Sequence, residues 1–397
     1  MLSPSLALFL FSSYLYCPTT AYQKLLQLPS TPRFPWVHTF ASIGDSYASG
    51  LGAGTRLDWS CSRYSSSYPH ILHTSLLGDD AARTHQFLAC SGSSTSMILA
   101  DQIPKLSNDS IDLLTISAGG NDIGLTPVLN NCVYQFSMAG EAECETAINE
   151  ARDRIQEPSQ LYTDVLQLVN AAKHKLSKDG VLVLTGYARF FGTEDSLCDN
   201  VTWAVWSAID FHKQYLRQQM RKELNSLVLS VNQVLKNVTE AAGSRALFVD
   251  YDVGIEKSRG RYCESGVQEP APNRHELVFY EWNTVDSGEN RTELQQQTGD
   301  SVPKGSFESG IAERINKTLH DHPEWTFDPD KGFVDKDQVE GDGIVDGIGD
   351  GIHWMLPDAW KRVFHLRPWG HAVVAKGVME SLERFVEERD KDEMNEL

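Results

Sequence analysis

Short apolar runs alternate along this 397-residue chain with longer stretches in which apolar side chains return every three or four positions. Five runs read as buried strands: Trp36 to Ile43, Thr84 to Ala89, Ile111 to Ala118, Val181 to Thr185 and Ala246 to Asp250. Residues Ser67 to Leu77 read as helical. Helical spacing also links Leu161, Val165, Leu168, Val169, Ala172 and Leu176, with Asp179-Gly180 as a stop. A longer amphipathic helix carries Leu216, Met220, Leu224, Leu227, Val231, Leu235 and Val238 on one face. A last helix, from about Gly370 to Glu388, carries Val374, Val378, Leu382 and Phe385. Strands alternating with helices predict an α/β fold, a parallel sheet between two helical layers. Such sheets form their sites at the carboxyl ends of the strands.

The rhythm breaks at about 255–354, where the sequence turns polar and acidic. A structureless loop of that length is implausible in a compact domain, so an insertion with some structure of its own is expected. Its aromatic residues, Tyr262, Phe279, Tyr280, Trp282, Trp325 and Trp354, suit either a substrate pocket or a small core of its own, the second being favoured. The predicted organisation is a leader at 1–21, a Pro-containing segment at 22–35, one domain at 36–388 holding the insertion, and an acidic tail at 389–397.

The run Leu6 to Tyr16 is too short to cross a bilayer, which takes about 20 apolar residues. With small residues at Thr19-Thr20-Ala21 it reads as a secretory signal, so the protein is expected outside the cell with no stable membrane anchor. Cysteine usage agrees. Cys17 lies in the leader, leaving Cys61, Cys90, Cys132, Cys144, Cys198 and Cys263. Their grouping favours pairing in sequence order, although six cysteines admit other connectivities, and no Cys-x-x-Cys spacing suggests a metal. Sequons at Asn108, Asn200, Asn237, Asn290 and Asn316 add weak support for export. A net charge of −19 without a basic stripe argues against nucleic acid as a partner. Asp328 to Asp350 holds seven aspartates and one glutamate, but Val339 breaks an EF-hand pattern, so a solvated acidic loop is favoured over a calcium site. The pair His320 and His322 is not read as a metal site, and no cofactor is expected.

Ser46 closes the first strand in Gly44-Asp45-Ser46-Tyr47. A serine hydroxyl becomes a nucleophile when a base takes its proton, and an acyl substrate also needs donors for the developing oxyanion. Candidate donors are the backbone N–H groups of Ser46 and Gly92 and the side chain of Asn121; His365 is the candidate base. Each feature alone has a plain alternative, a turn serine at Ser46 or an Asx turn at Asn121. Asp45 and Asp122 read as loop braces.

Taken in order, Gly44-Asp45-Ser46, Ala89-Cys90-Ser91-Gly92, Gly119-Gly120-Asn121-Asp122 and Phe364-His365 with Gly370-His371 resemble the four blocks of the GDSL, or SGNH, hydrolase family. The likeness runs from about Trp36 to Phe385 outside the insertion, and it is nearest to the secreted bacterial and fungal esterases with three sequential disulfides. Pairing 61–90, 132–144 and 198–263 fits that branch. The resemblance implies a three-layer α/β/α, flavodoxin-like fold with a central parallel sheet of about five strands. It implies Ser46 as nucleophile, His365 as general base, and Ser46, Gly92 and Asn121 as the oxyanion hole of a carboxylic-ester hydrolase passing through an acyl-serine. Gly44 to Ala48 lacks the last glycine of a G-x-S-x-G elbow, which disfavours the α/β-hydrolase alternative.

One position departs from the family. The aspartate that many members place three residues before the histidine is Arg362 here, so a Ser-His dyad is expected, with the Arg362 carbonyl orienting the imidazole and Asp358 as a fallback. Leu366 stands where a proline is usual, which leaves His371 as a second candidate base. The substrate is expected to be a lipid ester or an acylated carbohydrate, with the acidic insertion tilting toward soluble or glycan esters, and the protein is expected to act as a monomer. A non-catalytic binding protein and an acyltransferase are the alternatives.

Overall fold

The computed structural model describes residues 34–395 apart from residues 59, 79, 135–139, 157–158, 205–212, 282–283, 287–315, 329–331 and 337–361. The expected leader, Asn290, Trp282, Trp354, Asp358 and most of the acidic stretch therefore lie outside the described residues.

Five strands, β1 (Thr39–Gly44), β2 (Thr84–Phe87), β3 (Ile111–Ser117), β4 (Leu176–Thr185) and β5 (Ala246–Val249), make one sheet in the order β2-β1-β3-β4-β5. Every neighbouring pair is parallel, with Phe40 opposite Leu113, Thr115 opposite Val183 and Leu184 opposite Phe248. Strands β1 and β3 are buried on both faces over most of their length, which is why they read as mainly apolar runs. The chain reverses direction across the sheet between β1 and β3, and the crevice at such a switch point is where ligands bind.

Helices α1 (Glu141–Ile155), α2 (Gln160–Lys173) and α3 (Gln218–Ala242) pack together in one layer. The other layer is α4 (Pro368–Asn395) with the helical segments Tyr68–Ile71 and Asp252–Lys257. Leu224, Leu227, Val231, Leu235 and Val238 of α3 are all buried, and each contributes up to about 1.5–3 kcal/mol relative to exposure. Three of the polar side chains that this helix buries hold the loop after β4. Arg221, fully enclosed, donates to the carbonyls of Gly192 at 2.5 Å and Asp195 at 2.7 Å. Asn225 exchanges two hydrogen bonds with the Phe191 backbone, and Asn232 does the same with Tyr187.

Two sequence expectations are corrected. Leu176 belongs to β4, not to the preceding helix, and Asp179-Gly180 lies inside the strand where the register slips between Ile111 and Leu113. A Cβ at Gly180 would stand 2.3 Å from the Ile111 carbonyl oxygen, so this glycine admits a bulge and does not stop a helix. The segment read as one helix from Ser67 divides into an α turn and a π-helical turn, Leu72–Leu76.

Parts of the stretch from Ile255 to Glu281 pack into the main core. Ile255, Tyr262, Leu277, Val278, Phe279 and Tyr280 are wholly buried. Tyr262 and Phe279 do not form a separate small core: they join Phe190, Phe191, Trp203 and Phe364 in one aromatic cluster with ring centres 4.9–6.3 Å apart. Further on, Trp325 stacks on His322 at 4.1 Å beside the small hairpin of Trp325–Asp328 and Gly332–Asp335.

Disulfides join Cys61 to Cys90, Cys132 to Cys144 and Cys198 to Cys263. Asn108, Asn200 and Asn237 are exposed, and Asn316 is half-buried. Among the described residues no helix is long and apolar enough to cross a membrane, and no group of three or more His, Cys, Asp or Glu is placed to hold a metal ion.

Candidate active site

The site is assembled at the ends of β1 and β3. Gly44 leaves the sheet at φ +135°, where a Cβ would lie 2.3 Å from the Ser117 carbonyl oxygen, so only glycine lets the chain pass. Its displaced peptide is satisfied by Gln102, which accepts from Gly44 N at 2.8 Å and donates to Gly44 O at 2.9 Å. The next residue, Asp45, caps a single helical turn, Ser46–Ser49, by accepting from Tyr47 N at 2.9 Å. Ser46 is thereby presented at the start of that turn, 7% exposed.

His365 arrives from the far side of the sequence. Its Nε2 lies 2.8 Å from Ser46 Oγ, and its Nδ1 lies 3.2 Å from the Val363 carbonyl oxygen. A carbonyl can only accept, so Nδ1 carries the proton and Nε2 offers a lone pair to the serine hydroxyl. The Arg362 carbonyl expected to orient the ring contributes, and the Val363 carbonyl contributes more. The Arg362 carbonyl also accepts the backbone N–H of His365 at 2.8 Å. Burial pushes His365 down to about 4, with the Val363 and Arg362 carbonyls partly opposing it. The imidazole is neutral, and ready to accept a proton, over the whole physiological range.

The loop that carries His365 is held on several sides. Phe364 sits in the left-handed region at φ +65°, a conformation that costs a non-glycine residue about 1–2 kcal/mol. Phe364 N donates to Tyr280 O at 3.0 Å, and Tyr280 N donates to His365 O at 2.8 Å. The Arg362 side chain is engaged with Tyr280 and Thr284. Its guanidinium lies 4.0 Å from the Tyr280 ring centre and donates to Thr284 O at 2.7 Å.

Gly92 follows the Cys61–Cys90 disulfide in a left-handed bend at φ +79°. The Ser49 and Ser91 hydroxyls, 2.7 Å apart, link this bend to the Ser46 turn. Asn121 Nδ2 donates to Ser93 O at 3.0 Å, which fixes the plane of its amide beside the same bend. Asp122 braces the two loops, accepting from Thr95 N at 3.0 Å and Thr95 Oγ1 at 2.5 Å. His371, the second candidate base, points elsewhere: its Nδ1 accepts from Tyr68 N at 3.3 Å, and burial pushes it down to about 3.

Two contributions were not readable beforehand. The Val363 carbonyl carries no residue-specific signal, because every residue has one. Tyr187, two residues beyond β4, donates to Asp45 Oδ2 at 2.5 Å; its place at the carboxyl end of a strand was the available clue.

A model of the GDSL-like Lipase/Acylhydrolase family matches residues 42–264, which takes in Ser46, Gly92 and Asn121 but stops short of His365. A lipase of Streptomyces rimosus is 34% identical over 182 residues, covering 45% of this chain and 63% of that protein. Lipase 1 of Streptomyces coelicolor is 32% identical over 154 residues, covering 38% and 53% respectively. The chain therefore spans less than two thirds of the length of these curated relatives. Among solved structures, an extracellular lipase from Streptomyces rimosus aligns with a TM-score of 0.45 at 28% identity over 58% of this chain and 86% of that one. A phospholipase A1 from Streptomyces albidoflavus aligns with a TM-score of 0.46 at 22% identity over 71% and 99%.

Proposed function

Because the chain belongs to the GDSL-like lipase/acylhydrolase family, we propose that it is a carboxylic-ester hydrolase working through a Ser46–His365 dyad. The observation that carries this reading is the 2.8 Å contact between His365 Nε2 and Ser46 Oγ, two atoms 319 residues apart in sequence.

In the mechanism, Ser46 Oγ attacks the acyl carbon while His365 Nε2 takes its proton. The oxyanion is met by the backbone N–H groups of Ser46 and Gly92 and by the second N–H of Asn121 Nδ2, the first being committed to Ser93. The imidazolium returns the proton to the departing alcohol, leaving an acyl-serine. Water then repeats the sequence with His365 as base and releases the carboxylic acid. The charge on the imidazolium is balanced by carbonyl dipoles at Nδ1 in place of a carboxylate.

Both curated relatives are lipases, which favours fatty-acyl esters over the glycan esters that the acidic composition suggests. Three disulfides suit an oxidising compartment, so we read the protein as secreted, with 1–21 as its leader and 36–388 as one hydrolase domain.

The test is hydrolysis of p-nitrophenyl acetate, butyrate and palmitate by wild type, Ser46→Ala and His365→Ala. Both substitutions should lower kcat by about 10³-fold or more. Activity that survives Ser46→Ala overturns the mechanism. A folded wild type that cleaves none of the three esters favours a non-catalytic binder on the same fold.

A further inference from the structure

The hydroxyl of Tyr187 stands between two parts of the site that come from different strand ends. Its oxygen accepts the Gly120 N–H at 3.1 Å, and its proton goes to Asp45 Oδ2 at 2.5 Å. Gly120 immediately precedes Asn121, and Asp45 immediately precedes Ser46. A buried tyrosine needs one partner for its hydroxyl; this one has two, each next in sequence to a residue of the site.

The side chain is held firmly. Its ring is 4% exposed and stands edge-on to Tyr47 at 5.1 Å. The backbone of Tyr187 is gripped by Asn232 of α3, which accepts from its N–H at 2.8 Å and donates to its carbonyl at 2.7 Å. A Cβ on Gly120 would meet three atoms of the phenol at 3.4 Å, so the ring lies in contact with the very peptide that leads into Asn121.

We propose that Tyr187 is a positioning residue, which sets the spacing between Ser46 and the Asn121 oxyanion donor through Asp45 and Gly120. This rests on the hydrolase reading given above. The link uses the ionised Asp45, since only a carboxylate accepts from Tyr187 and from Tyr47 N together without a proton of its own to place. Burial pushes Asp45 up to about 6, opposed by hydrogen bonds from Tyr187, the backbone of Tyr47 and Ala48, and Ser117. The buried phenols of Tyr68 and Tyr251 face the same charge. Removing the Tyr187 hydroxyl removes the foremost of the opposing bonds, so Asp45 should then protonate at higher pH.

The experiment measures kcat and KM for p-nitrophenyl butyrate from pH 4 to 9, together with amide hydrogen exchange at Gly120, in the full chain. Tyr187→Phe should lower kcat by about 10- to 100-fold with KM within about two-fold, the signature of misplaced groups. It should also move the acid shoulder near pH 6 to higher pH and speed exchange at Gly120. Asp45→Asn, which keeps an acceptor for Tyr187, should abolish the shoulder. A folded Tyr187→Phe with unchanged kcat, or with lower kcat but an unmoved shoulder, overturns the proposal. If Tyr187→Phe does not fold, a shoulder that persists in Asp45→Asn does the same. A wild type without esterase activity defeats the hydrolase reading and, with it, the catalytic role; unchanged Gly120 exchange in Tyr187→Phe defeats the clamp itself.

Discussion

The hydroxyl of Tyr47 donates to the carbonyl of Phe364 at 2.7 Å, so the residue after the proposed nucleophile holds the backbone just before the histidine. The bond secures the strained φ of Phe364 and with it the distance between Ser46 and His365. Tyr47→Phe leaves a buried carbonyl without this donor, which costs about 1–3 kcal/mol. Thermal unfolding should report that loss, and kcat for p-nitrophenyl butyrate should fall by roughly ten-fold. Unchanged values of both would show that the loop is held without Tyr47.

The depressed titration of His365 fixes the acid limit of activity. Its folded value of about 4 lies below the ordinary 6.5, so the base stays unprotonated as pH falls through the usual histidine range. The final loss of kcat/KM should come near pH 4, below the partial step assigned to Asp45. A pH–rate profile that falls to zero with a midpoint near 6.5 would contradict the burial seen here. The same sign governs stability: the contribution of neutral His365 is present above pH 6.5 and is lost as pH falls through about 4.

Arg362 occupies the place of the family's orienting aspartate, yet Arg362→Asp should not create a better enzyme. The substitution removes the stacking on Tyr280 and the donor to Thr284 O, and it leaves a carboxylate in a site only 1% exposed. A loss of about 3–5 kcal/mol in urea unfolding is expected, with no gain in kcat. A variant of undiminished stability and raised kcat would mean that a third member can be added to the dyad.

Glu269 and Glu281 both accept from Ala271 N, at 2.8 Å and 3.2 Å, which brings two buried carboxyl groups together. Burial first, and then the charge of Glu269, push Glu281 up to about 8. A raised folded value means that its contribution to stability is full below about pH 4.5 and is lost as pH rises through about 8. Glu281→Gln should therefore flatten the fall in Tm between pH 5 and pH 8. Parallel wild-type and variant curves would show that the pair does not share a proton.

Much of the sheet was legible because a strand buried on both faces is mostly apolar, as Ile111, Leu113, Leu114 and Ile116 make the third strand. Gly180 misled because a glycine that ends a helix and one that admits a bulge look identical until the neighbouring Ile111 carbonyl is in place. Tyr262 and Phe279 carried no periodicity, so their membership of the main core depended on contacts with Phe190 and Phe364 from distant segments. In the site, side chains with chemistry of their own announced themselves. The Val363 carbonyl and the Tyr187 hydroxyl did not, since a backbone oxygen has no identity and a phenol after a strand reads as packing.

The separation of 319 positions between Ser46 and His365 also has a meaning in time. At about 5–20 residues per second, Ser46 leaves the ribosome tens of seconds before His365. Throughout that interval the growing polypeptide holds a serine with nothing to take its proton. On the proposed mechanism, ester hydrolysis cannot begin until synthesis has passed His365 and Phe364 has met the Tyr47 hydroxyl.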